Sequence, residues 1–84
     1  MDGEYIAFKK DGTLLTKEDM ILLQKKFSLE KVFEEDGETI FSFNLEGNLG
    51  DIIYSPLVTT VEFYDAGGER VKKLFETKYG WSLR

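Results

Sequence analysis

Apolar residues along this chain follow two periods, and the switches between them outline its elements. In residues 4–10, Tyr5, Ile6 and Phe8 favour an extended backbone and stop at Asp11-Gly12, which predicts a strand running into a turn. Thr13-Leu14-Leu15 is a candidate return strand, because Asp-Gly between apolar runs is a hairpin signal. From Met20 the period lengthens: Met20, Leu23 and Phe27 fall on one helical face while Lys17, Lys25 and Lys26 stay wet, predicting a helix over 17–27. Thr16 suits its N-cap, Asp19 stands where a capping box places an acid, and Glu18 and Asp19 suit the positive end of the helix dipole.

Leu29 to Leu45 reads as a hairpin about Asp36-Gly37, a dipeptide that tolerates positive φ. Val32 and Phe33 precede that turn; after it Phe41, Phe43 and Leu45 alternate with Ser42 and Asn44, with Thr39 and Ile40 extending the strand. By composition, residues 46–51 are a loop. Ile52-Ile53-Tyr54 forms a short strand that Pro56 ends or confines to an edge, since proline cannot donate to a ladder. Residues 57–64 alternate and are rich in β-branched and aromatic side chains, so they form a strand that Asp65-Ala66-Gly67-Gly68 closes. Val71, Leu74, Phe75 and Tyr79 then share a helical face over 69–79, opposite Lys72, Lys73 and Glu76. Gly80 fits a left-handed C-terminal cap, and Trp81 can fold back on Phe75. The order predicts one α+β domain over residues 1–84: an antiparallel sheet of four to five strands with two helices packed on one face.

Composition narrows the chemistry. At 84 residues there is room for one core, and 42% hydrophobic with 32% charged residues is a globular balance. Without Cys or His, the chain has neither thiolate ligands nor the commonest general base, so no catalytic residue, metal site or cofactor is assigned and an enzyme is not expected. A carboxylate pair near Asp36 is solvated at a turn tip, whereas acid–base work needs a buried member and a cleft. Asn44, Glu46, Asn48 and Asp51 have oxygen ligands at short spacing, but Leu49 and Ser55 occupy the positions where an EF-hand loop needs Gly and Glu. Gly67-Gly68 before a helix lacks the Gly-Lys-Ser/Thr of a P-loop. No apolar run reaches membrane-span length, so no membrane association is expected. Met-Asp-Gly-Glu does not open like a signal peptide, which makes the cytoplasm the default location.

Charge distribution is the most informative feature. The net charge of −5 divides into a neutral segment 1–27, a segment 28–69 with ten acids and only Lys31 in return, and a basic segment 70–84. A strongly acidic middle suggests a surface that steers a basic partner. The preferred expectation is therefore a non-enzymatic interaction protein whose carboxylate-rich face docks on a basic, nucleic-acid-handling protein, with carboxylates standing where phosphates would sit. Small acidic inhibitors of phages and other mobile elements work this way, an analogy of composition and not of motif. The candidate partner-binding residues are Glu30, Glu34, Glu35, Asp36, Glu38, Glu46, Glu62 and Tyr64. One alternative is a self-assembling, homo-oligomeric subunit that pairs through an edge strand near Pro56 or residues 4–10, or through its acidic middle and basic C-terminal segment. The other is nucleic-acid binding by Lys9-Lys10, Lys25-Lys26 and Lys72-Lys73 with Tyr5 or Phe8 stacking, disfavoured by the overall negative charge.

Overall fold

The structure is a computed structural model that describes residues 3–27, 29–64 and 67–84. Six strands and two helices follow in the order β1 (Gly3–Lys9), α1 (Lys17–Phe27), β2 (Glu30–Glu35), β3 (Glu38–Leu45), β4 (Asn48–Tyr54), β5 (Thr59–Phe63), α2 (Gly68–Leu74) and β6 (Trp81–Leu83), with a π-helical turn at Phe75–Tyr79 continuing α2. The strands form one sheet ordered β2-β3-β4-β5-β1-β6, antiparallel at every pairing. The α+β class and the antiparallel sheet agree with the sequence reading, but there are six strands where four to five are expected.

Register defines the core. Ile52 lies opposite Phe41 and Val61, Gly50 opposite Phe43 and Phe63, and Tyr54 opposite Thr39 and Thr59. Tyr5 meets Val61, and Ala7 meets Thr59 and Leu83. Directly paired residues share a face, and this register contains the buried set Ala7, Phe41, Phe43, Ile52, Val61 and Leu83. From α2 and its continuation, Val71 and Phe75 are fully buried, and the Phe75 ring stands edge-on to Phe43 at 5.1 Å and tilted on Trp81 at 5.4 Å. On α1, Met20 and Leu23 are buried, and Met20 borders the same groove as Phe41 and Tyr54. Phe27 ends that helix half-exposed, its ring 4.4 Å from that of Tyr79.

Local signals are realised where they depend on neighbouring residues. The Thr16 N–H donates to the Asp19 carboxylate at 2.8 Å while Asp19 N–H donates to Thr16 Oγ1 at 3.2 Å, a capping box that starts α1. Asp36-Gly37 and Glu46-Gly47 both have positive φ at each residue, the conformation of two-residue hairpin turns that match strand twist. Gly80 is left-handed, and Trp81 lies against Phe75 as expected, although it begins a strand.

Other expectations are corrected. Thr13-Leu14-Leu15 is not a strand: the Asp11 carboxylate accepts bonds from the Thr13 N–H and hydroxyl, and these hold Asp11's own pKa below the usual carboxylate range. Residues 48–51 are not loop but the first half of β4, after a turn reduced to Glu46-Gly47. Gly50 misleads by composition: it is glycine because a Cβ there would strike the Glu62 carbonyl and the Phe43 ring. The strand at 57–64 begins only at Thr59, leaving Leu57 84% exposed. The helix at 69–79 changes to π geometry at Phe75, and three residues beyond Gly80 form the unanticipated β6. Of the turn read at 65–68, Asp65 and Ala66 lie outside the described residues.

Candidate interaction surface

The register that builds the core also dictates what shares the opposite face. Glu4 pairs with Glu62, Glu62 with Asp51, Asp51 with Ser42, and Ser42 with Glu30. One line of four carboxylates and a serine therefore crosses β1, β5, β4, β3 and β2. With strands about 4.8 Å apart, it is ~19 Å long. Two residues along β1, β5, β4 and β3, and three along β2, a second line runs Ile6, Thr60, Ile53, Ile40 and Phe33. Ile6 and Phe33 are more than two-fifths exposed; Thr60, Ile53 and Ile40 are half-buried. The Arg84 backbone exchanges two hydrogen bonds with Ile6, and its guanidinium sits 4.8 Å over the Phe8 ring.

A β-bulge aligns β2 with both lines. Glu30 and Lys31 pair with Ser42 and Phe41, but Phe33 pairs with Ile40, so Val32 is the extra residue. Without it, Phe33 would face the other way. The same slip puts Lys31 and Glu34 on one face, the core register, where Nζ and Oε1 are 3.2 Å apart.

Like charges are neighbours along the acidic line. Partial burial, then the neighbouring Glu4 and Asp51 charges, push the Glu62 carboxyl above the ordinary glutamate range. Asp51 accepts a 3.1 Å bond from the Ser42 hydroxyl. Among the described residues, no lysine or arginine forms an ion pair with Glu4, Glu30, Asp51 or Glu62.

The eight sequence-predicted site residues are only partly brought together. Glu30 and Glu62 stand in the acidic line. Glu35 and Glu38 face each other beside Asp36 at the exposed β2–β3 tip. Glu34 is on the opposite face, bridged to Lys31. Glu46 is neutralised at the β3–β4 turn by Arg70 at 3.6 Å and Lys78 at 3.3 Å. Tyr64 is exposed just past β5, its N–H bonded to the Leu49 carbonyl. Glu4, Asp51 and the apolar line escape sequence reasoning. Their one signal is that Asp51 and Ile53 alternate with Ile52 and Tyr54, legible only once residues 48–51 are seen as strand.

Features behind the other readings are also located. Residues 3–9 form β1 inside the sheet and Pro56 lies between β4 and β5, so the edges are β2 and β6 instead. Lys9 bridges to Asp19 at 3.4 Å and Lys72 to Glu76 at 3.6 Å, while Tyr5 and Phe8 occupy opposite faces of β1. In the loop weighed for calcium, Asn44 accepts from the Gly47 N–H and Asn48 donates to the Leu45 carbonyl, which commits both side chains to the turn. No helix among the described residues is long and apolar enough to cross a membrane. Comparison of the chain with protein-family models, curated proteins and solved structures finds no match.

Proposed function

We propose that this protein is a non-enzymatic binding module that holds a basic partner protein against the sheet face opposite its core. In this reading both helices cover the core register and leave the two lines of Glu62 and Ile53 open. The observation that carries it is their juxtaposition: four carboxylates that no lysine or arginine among the described residues pairs with, beside a stripe of isoleucine and phenylalanine. The carboxylates steer association and set the register of a cationic surface, and the apolar stripe supplies desolvated contact. Glu35, Asp36 and Glu38 at the hairpin tip extend the same negative field. A nucleic-acid-handling protein is the partner class such a line fits, its carboxylates occupying cation sites that phosphates otherwise fill, and occupation of those sites makes the module an inhibitor.

Self-assembly has less support. Arg70, Lys72 and Lys78 are engaged by Glu46 and Glu76 of the same chain, which removes most of the positive charge a second copy would meet. The β2 edge carries Glu30, Lys31, Glu34 and Glu35 plus a bulge, features that discourage strand addition. For the test, the protein is immobilised and a lysate is passed over it at low salt. A basic protein is expected to be retained, to elute as salt rises, and to be lost with the shape-preserving double variant Asp51→Asn/Glu62→Gln. Undiminished retention by that variant refutes the reading.

A further inference from the structure

We propose that the groove between α1 and the β2–β3 hairpin is a binding site for a medium-chain alkyl carboxylate. It is independent of the acidic line, because its floor belongs to the core register. The groove encloses about 600 Å³ and is floored by Met20, Phe41 and Tyr54, with the half-exposed Ile21 as a wall. That is the volume of a small-ligand site, and Gln24 and Thr39 join these apolar side chains in its lining.

Its charge selects the ligand. Only Lys17, Lys31 and Glu34 carry charge at the lining, and Lys31 is bridged to Glu34. Among the described residues Lys17 has no ion-pair partner, so the groove lining includes one uncompensated ammonium beside apolar side chains in a molecule of net charge −5. An alkyl chain with one terminal anion satisfies both features: the chain removes apolar surface from water and the carboxylate meets the Lys17 ammonium. A neutral alcohol forgoes the second contact, and an alkylammonium is repelled by it.

Amide chemical-shift titrations test the proposal with decanoate, decanol and decyltrimethylammonium, each below its micellar concentration. Decanoate is expected to give saturable shifts centred on Met20, Ile21, Phe41 and Tyr54, with the other two binding about tenfold more weakly. Lys17→Glu keeps the fold, because an acid at the first position of a helix suits its dipole, and is expected to weaken decanoate about tenfold. Lys26→Glu makes the same charge change on the same helix outside the groove and is expected to leave decanoate affinity unchanged. No saturable shift in the groove, equal binding of the alcohol or cation, or equal losses in the two variants would each overturn the proposal.

Discussion

Replacing Glu62 by Gln should make the protein more stable while weakening retention of the proposed basic partner. Glu62 stands directly between Glu4 and Asp51 on adjacent strands. Each like-charge cross-strand pair costs about 0.2–1 kcal/mol, so removing one charge relieves two such terms, roughly 0.4–2 kcal/mol, with ~1 kcal/mol as the central expectation. Glutamine preserves the shape and the alkyl packing, which leaves electrostatics as the difference. Partial burial is the larger cause of the upward displacement of the Glu62 pKa, and the Glu4 and Asp51 charges that impose this cost add to it. The sign follows from linkage: an acid whose folded pKa is raised binds its proton more tightly when folded. Its ionisation therefore destabilises the fold above the folded pKa, and the penalty disappears as pH falls below the ordinary glutamate range. In urea unfolding at neutral pH and low salt, with a slope near 1 kcal/mol/M for so small a domain, the variant midpoint should rise by about 1 M. The gain should shrink at ~1 M salt, where the Debye length is about 3 Å, and vanish near pH ~3. A variant no more stable than wild type at low salt, or a gain indifferent to both salt and pH, would refute the strained acidic line. Raised stability with lost partner retention is the trade expected of a residue kept for binding.

Other expectations concern the scaffold. Phe75→Ala removes a fully buried ring that meets Phe43, Tyr79 and Trp81; it should cost about 3–5 kcal/mol in urea unfolding and flatten the near-ultraviolet circular dichroism. Gly50→Ala drives a methyl into the Glu62 carbonyl, which cannot rotate away, so a loss of ~3 kcal/mol or more is expected in the same assay. Asp19→Ala, by removing the capping box, should lower stability by about 1 kcal/mol, read as a lower unfolding midpoint. Partial burial raises the Asp19 pKa, but bonds from Thr16 and the charge of Lys9 outweigh it and hold it below the usual range. That contribution is fully present above the ordinary aspartate range and is lost as pH falls through the folded pKa, so the gap between wild type and variant should close in acid.

The core was legible to a useful extent. Phe41, Phe43 and Phe75 are buried as their periodicity requires, and Phe63 packs partly buried against them. Trp81 and Tyr54 are buried, whereas Tyr64, the one aromatic among the candidate binding residues, is exposed. The Tyr79 phenol is enclosed without a hydrogen-bond partner among the described residues and pushed up to about 12 by burial, an environment that spacing does not reveal. The proposed site was less legible. Glu34, Glu35, Asp36 and Glu38 are adjacent in sequence, yet β2 and β3 distribute them between two faces and a turn tip.

Taken alone, the sequence determined whatever depends on residues a few positions apart: the Thr16–Asp19 cap, the positive-φ turn at Asp36-Gly37, the alternation of β3 and β5, and the Gly80 cap with its Trp81 contact. Those follow from short-range sterics and hydrogen bonding. Tertiary structure decided which acids became neighbours. Glu4, Asp51 and Glu62 meet because β1 and β4 both pair with β5, and Glu30 and Phe33 join their respective lines because one bulged residue corrects the phase of β2. A period of two says which residues of a single strand share a face. Only the hydrogen-bonded register between strands says whose face that is.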